Sequence, residues 1–289
     1  MKPLDIVHTE SSLGWGGQEI RILTEAQGLL GRGHRVRLLC PREARIREEA
    51  ARFGVPVEAL AIGRKNLRGL VSMTDWLRAH RAGDARTVLN THSSTDSWLA
   101  AAAVQLLGRP FPIVRTRHIS ARVPRNRVSR WLYARAAAKV ATTGEALRLQ
   151  LIEDLGVEPE RIASVPTGID TARFVPGSPA EVRARLGLPT DKKLVGIVAT
   201  LRSWKGHRYL IEACASMPAG VGLVIVGDGP QREALNALVA AHGIADRVRM
   251  AGNQADVVPW LQTLDVFALP SYANEGVPQA LTQDRKSVV

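Results

Sequence analysis

The chain has 289 residues, 45% of them hydrophobic, with 39 Lys+Arg against 27 Asp+Glu and two cysteines. That length suits about two domains with substantial cores, and no apolar run approaches the roughly 20 residues of a membrane span. Cys40 and Cys214 have no ligand-type neighbours at metal spacing, so they read as buried free thiols, which argues against a disulfide framework or a zinc module.

The N-terminus, up to His8, reads as a strand rather than a signal peptide, because its apolar stretch is short and holds Asp5. A cytoplasmic location is therefore expected. Strands are expected over Leu4–Thr9, Val36–Cys40, Val57–Ala61, Thr87–Thr91, Ile113–Thr116 and Val140–Thr143, with a shorter one over Arg161–Pro166. Helices are expected between them, over Gln18–Leu30, Arg42–Phe53, Leu67–His80, Thr95–Leu107, Val128–Ala138 and Glu145–Leu155. Strands that alternate with helices of 10–15 residues predict βαβ crossovers and a parallel sheet.

Residues 166–179 are rich in turn formers and mark the domain joint. The alternation then restarts, with strands over Leu194–Ala199, Gly222–Val226, Val248–Ala251 and Val266–Leu269. Helices are expected over Ala180–Leu186, His207–Ser216, Gln231–His242, Asp256–Gln262 and from Pro278 to Gln283. The expected division is 1–165, a linker and first helix over 166–192, a second domain over 193–283, and a tail over 284–289. Seven strands in the first half against four in the second suggest a doubly wound second domain that lacks its last two βα units. Asp284-Arg-Lys-Ser-Val-Val289 breaks the preceding helix pattern and can be back-translated as GATCGGAAGAGCGTCGTG, a common sequencing-library adapter, so these six residues are expected to be non-native. A chain that stops there would leave apolar surface uncovered, and poor solubility and inactivity are expected of it.

Several short stretches carry chemistry. Gly14-Trp15-Gly16-Gly17 follows the first strand and opens the first helix, where glycines admit a close ligand and the helix N-terminus favours an anion. The dinucleotide fingerprint and the Gly-Lys-Ser/Thr phosphate loop are both absent. Arg202 and Lys205 stand at i and i+3 past a strand end, where a guanidinium fork and an ammonium can converge on a diphosphate. Gly227-Asp228-Gly229-Pro230 reads as a tight βα turn that also lines the pocket. His118 follows a strand end, and Glu275 sits in a loop after the last strand, the position where open α/β sheets bind ligands. The other histidines, among them His8, His92, His207 and His242, lie on separate elements with no metal spacing.

Charge is uneven: residues 1–165 carry 26 Lys+Arg against 16 Asp+Glu, and residues 166–289 carry 13 against 11. From Arg115 to Lys139 there are eight cations, no acids, and the aromatics Trp131 and Tyr133. Such a stretch can dock on an anionic membrane or acceptor, or it can be an ordinary solvated arginine-rich surface. Nucleic acid is not an expected partner, since no recognised module or stacking platform accompanies the charge.

Taken in order, the Gly-Gly loop, the mid-chain His118, Pro166-Thr-Gly-Ile-Asp170, Arg202-x-x-Lys205-Gly206, Gly227-Asp-Gly-Pro230 and Pro270-Ser-x-x-x-Glu275-Gly-x-Pro278 resemble the family 4 (group 1) retaining glycosyltransferases of the GT-B fold. The resemblance covers residues 3–283. It implies an α/β fold of two Rossmann-like doubly wound parallel-sheet domains facing across a cleft, the first for the acceptor and the second for a nucleotide-diphosphate sugar. It places Gly16 and Gly17 near the donor phosphates, His118 near the reacting centre, Arg202 and Lys205 on the diphosphate, and Glu275 on the donor sugar's hydroxyls. The family's second glutamate, eight residues on, is Gln283 here, which puts that ribose contact in doubt. No cofactor or metal is implied, the nucleotide sugar being a substrate.

The expected activity is retaining sugar transfer to a cell-envelope glycan or lipid-linked acceptor, on the cytoplasmic side and at the inner membrane face where the basic stretch docks. A GT-B nucleotide-sugar epimerase is the alternative enzyme. A scaffold using the basic surface is a third reading, against which Arg202, Lys205 and Glu275 argue.

Overall fold

The computed structural model describes residues 2–80, 86–119, 121–273 and 277–284. The chain divides into two compact units, Met1–Thr167 and Gly168–Val289. Glu275 lies outside the described residues, as do residues 285–289 of the tail.

The first unit runs β1 (Asp5–Thr9), α1 (Gly17–Gly31), β2 (Arg35–Cys40), α2 (Arg45–Glu49), β3 (Val57–Ala59), α3 (Leu67–Ala79), β4 (Thr87–Thr91), α4 (Ser94–Leu106), β5 (Ile113–Arg117), α5 (Arg127–Arg130), β6 (Lys139–Thr142), α6 (Glu145–Leu155) and β7 (Ile162–Ser164). Its seven strands are ordered β3-β2-β1-β4-β5-β6-β7, and every pairing is parallel. Alternate strand residues serve opposite faces. Ile6, Leu38 and Cys40 pack with Ile22, Leu23 and Ala26 of α1. Their neighbours Val7 and Leu39 join Leu89, Ile113 and Val140 against Met73, Leu77, Ala100 and Leu151.

Two expected helices differ in form. The segment expected as one helix over 42–53 is the short α2 followed by a 3₁₀ turn over Ala50–Phe53, closed by Gly54 at φ +65°. The helix expected over Val128–Ala138 is the single turn α5 followed by a π-helical stretch, Trp131–Ala136, ending in extended backbone at Ala137. The wider turn is held by Ala137 N–H donating to Leu132 O at 3.1 Å, while the Arg161 guanidinium donates to Ala134 O at 2.8 Å and also to Ala137 O.

The second unit runs α7 (Pro179–Leu186), β8 (Lys193–Val198), α8 (His207–Ser216), β9 (Val221–Val226), α9 (Arg232–Ala241), β10 (Val248–Gly252), α10 (Val258–Thr263), β11 (Val266–Phe267) and α11 (Gln279–Gln283). Its four parallel strands are ordered β10-β9-β8-β11. Again parity divides the core: Val224 and Val226 pack with Trp260, Leu261 and Leu264, while Leu223 and Ile225 face Ile211, Cys214 and Leu235. Asp265 ties β11 to β8, accepting from Leu194 N–H at 2.8 Å and from Arg183 Nη2 at 2.6 Å. Among the described residues no helix is long and apolar enough to cross a membrane.

Candidate active site

In the second unit the chemistry gathers beyond the C-terminal ends of β8, β9 and β11. The loop after β8 carries Arg202, then a 3₁₀ turn, Ser203–Lys205, and Gly206 at φ +76°. Leu201 N–H donates to Asp228 O at 3.0 Å, and Gln231 N–H donates back to Leu201 O at 3.1 Å. These bonds press the Gly227–Gly229 loop so close that a Cβ on Gly227 (φ +140°) would sit 2.0 Å from Ala199 O. One on Gly229 would meet Leu201 O at 2.7 Å. Packing therefore demands glycine at both positions, ahead of any ligand. Behind Gly227, the register shift in β10 brings Gly252 O within 2.8 Å of the Gly227 N–H.

The stretch before Glu275 joins the same place. A Cβ on Gly206 would lie 2.2 Å from Pro270 O, Tyr272 N–H donates to Trp204 O at 3.0 Å, and the Tyr209 and Tyr272 rings meet edge to face with centroids 6.3 Å apart. Arg202 is exposed, with its guanidinium 5.7 Å from the Trp204 ring centroid, and Lys205 is half-buried. Ser271 Oγ is buried and makes no hydrogen bond among the described residues. Gln283 ends α11 and lines a depression with Phe174, Pro176, Val258, Leu261 and Gln262, apart from the glycine loops.

In the first unit, β1, β4 and β5 are neighbours, and their ends bring together residues far apart in sequence. His8 Nδ1 lies 2.8 Å from His92 Nε2, and His92 Nδ1 lies 2.9 Å from His118 Nε2. Burial holds all three imidazoles neutral, lowering His8 to about 4 and His118 to about 3, with Arg21 and Arg115 adding to the effect at His118. Beside them Asp96 accepts from Thr9 Oγ1 at 2.7 Å and from His92 N–H at 3.0 Å. Glu10 accepts from Gln18 Nε2 at 2.5 Å, from Ser12 N–H at 2.7 Å and from the Ser93 hydroxyl. Burial, then the Asp96 charge, push the Glu10 carboxyl up to about 7 against the Ser93 and Ser12 hydrogen bonds. Gln18 ties this cluster to the start of α1, where Gly16 and Gly17 stand.

His207, the first residue of α8, is buried, and burial followed by Lys205 lowers it to about 4, opposed by backbone groups of Ala199 and Arg202. An unfolded imidazole takes its proton near pH 6.5, so stability held above that pH declines as pH falls toward about 4, by up to roughly 3 kcal/mol. In His207→Gln, the gap between urea midpoints measured near pH 7.5 and near pH 5 narrows relative to wild type. An unchanged gap would remove His207 from the acid response.

The basic stretch is narrower at the surface than its sequence suggests. Arg115 is 2% exposed, donates to Thr91 O and Thr116 O at 3.1 and 2.8 Å, and lies under the Tyr133 ring, itself buried. Trp131 packs on the core, 5.5 Å from Trp98. Six cations remain exposed: Arg122, Arg125, Arg127, Arg130, Arg135 and Lys139.

Comparison with known proteins agrees with this architecture. A family model described as Glycosyltransferase Family 4 matches residues 15–173, and one described as Glycosyl transferases group 1 matches residues 179–283. A D-inositol 3-phosphate glycosyltransferase of Xylanimonas cellulosilytica is 31% identical over 67% of this chain, a match spanning 52% of that protein. The lipopolysaccharide core biosynthesis glycosyltransferase LpsE of Rhizobium meliloti is 40% identical over 42% of this chain and 34% of its own length. This chain thus spans about half or less of these two relatives. Among solved structures, Anabaena HepE in complex with UDP and glucose superposes with a TM-score of 0.82 at 20% identity, covering 97% of this chain and 78% of that one. The two parallel-sheet units, the second smaller, are those of the GT-B fold, and the chain belongs to the family 4 glycosyltransferases.

Proposed function

We propose that the protein transfers a sugar, with retained anomeric configuration, from a nucleotide-diphosphate sugar to a cell-envelope glycan or lipid-linked acceptor. The observation that carries this reading is the convergence of Arg202, Lys205 and the Gly227–Gly229 loop with the segment leading to Glu275. The relatives' names, and the UDP and glucose bound to HepE, support the donor class. As the bond from the anomeric carbon to the diphosphate oxygen breaks, its electron pair leaves with the diphosphate, whose charge Arg202 and Lys205 neutralise. The acceptor oxygen bonds to the anomeric carbon on the same face, and its proton departs with the leaving group. Glu275 orients the donor sugar, while Gln283, which lines a depression apart from the glycine loops, is given no part in the step. Binding energy then serves chiefly to hold the acceptor hydroxyl beside the anomeric carbon.

The deciding experiment incubates the protein with UDP-, GDP- and ADP-sugars, with and without glycan or lipid-linked acceptors. Free nucleoside diphosphate that appears only with acceptor, with an α-linked product from an α-linked donor, supports the reading. Epimerised sugar nucleotide formed without acceptor would make the protein an epimerase instead. Because the two side-chain cations supply the charge neutralisation, a chelator is expected to leave the transfer rate within about twofold. A rate abolished by chelation and restored by a divalent metal would overturn that assignment.

The exposed cations from Arg122 to Lys139 are the proposed contact with an anionic inner-membrane face, each contributing on the order of 1 kcal/mol near the surface. Flotation with anionic vesicles and not with neutral ones is expected. Binding indifferent to lipid charge would refute it.

A further inference from the structure

His8 and His92 have no role in the transfer described above, yet they form a continuous row with His118 inside the first unit. Both ring nitrogens of His92 are engaged, at 2.8 Å with His8 and at 2.9 Å with His118. Each such bond needs one N–H and one lone pair, and a neutral imidazole offers one of each. His92 must therefore donate to one neighbour and accept from the other, which leaves the row only two polarisations.

In the first, His8 donates from Nδ1 to His92, His92 donates from Nδ1 to His118 Nε2, and His118 carries its own proton on Nδ1. In the second, every proton moves to the other nitrogen, so His118 Nδ1 is bare and His8 carries its proton on Nε2. The buried His8 Nε2 has no hydrogen-bond partner among the described residues. In the first polarisation that atom is an unused lone pair; in the second it is an orphaned N–H. Buried orphan donors are rarer in proteins than under-satisfied acceptors, and the same desolvation argument applies to an imidazole. Burial keeps the row neutral, Arg21, Arg115 and Arg117 further oppose a proton on His118, and Asp96 is occupied by Thr9, Ser11 and the His92 and Ser93 N–H groups.

We infer that His8 and His92 are positioning residues that fix His118 as its Nδ1–H tautomer, so that His118 presents a hydrogen-bond donor to an oxygen of the bound substrate. The inference rests on the transferase reading for the nature of that oxygen, a substrate hydroxyl. A bare Nδ1 could only accept and would select the opposite partner. His8 is linked to His118 through His92, so its effect on the tautomer passes through His92.

NMR of the whole chain labelled on the histidine ring nitrogens tests this directly, with His118 assigned by the signal lost in His118→Gln. Near neutral pH the wild-type protein is expected to carry the His118 proton on Nδ1. His92→Phe removes the row and His8→Leu cuts its far end, and in either variant His118 is expected to become a mixture of tautomers. A wild-type proton on Nε2 overturns the inference, as does an Nδ1 proton that persists unchanged in whichever of the two variants folds. The wild-type measurement needs neither variant. Absence of sugar transfer by the wild type would count against the transferase reading and leave the tautomer result standing, so the two failures are distinguishable.

Discussion

Gly227→Ala is expected to destabilise the second unit by more than about 3 kcal/mol, lowering its melting temperature by roughly 10 °C. Two effects combine there, and other glycines of the same unit separate them. Gly220 has open space around its missing Cβ and no left-handed backbone, so Gly220→Ala should be near neutral. Gly243 has φ +64° but nothing within 4 Å, so alanine there bears only the backbone strain, about 1 kcal/mol. Gly227 has φ +140° and would place Cβ 2.0 Å from the Ala199 carbonyl oxygen. That oxygen belongs to the backbone just past β8, which cannot move without disturbing the Ala199 N–H bond to Val226 O at 3.0 Å. Calorimetry of the three variants gives the ranking. A Gly227→Ala protein that melts with Gly243→Ala would show that the loop yields and that the close approach to Ala199 is dispensable.

The series also shows what the sequence could disclose and what it could not. Alternating apolar strands and helices made the parallel sheets legible, because a strand must travel back along a helix before it can pair in parallel. The glycine loop was legible as a turn, but its reason was not, since contact between the ends of β8 and β9 depends on sheet order. The same holds for His8, His92 and His118, which are separated by 84 and 26 residues and meet only because β1, β4 and β5 are adjacent. Arg115 was countable as surface charge, although its parity with buried Ile113 places it on an inward face. The π-helical stretch, Trp131–Ala136, depends on the Arg161 fork reaching its carbonyls from beyond β6, a contact that no local propensity encodes.

Arg202→Ala is expected to lower kcat for sugar transfer by about 10²–10³ while leaving the melting temperature nearly unchanged. Arg202 suits this separation better than Lys205. It is exposed, and the contact it makes with the Trp204 ring at 5.7 Å supplies about 0.5–1 kcal/mol at such a site. Lys205 is half-buried beside His207 and Gly206, so its removal disturbs the fold as well as the charge. The backbone of Arg202 is already fixed by its neighbours, with Leu201 N–H bonded to Asp228 O and Lys205 N–H bonded to Arg202 O at 3.1 Å. Alanine keeps those bonds and removes the guanidinium alone. Arg202→Lys retains a charge but loses the planar fork that grips two oxygens, so it should fall between wild type and alanine. The three proteins are compared by transfer rate on a donor–acceptor pair that the wild type turns over, and by calorimetry. Wild-type kcat in Arg202→Ala would remove Arg202 from the diphosphate site and leave charge neutralisation to Lys205. Equal losses of activity and stability would instead make Arg202 a structural residue of the loop.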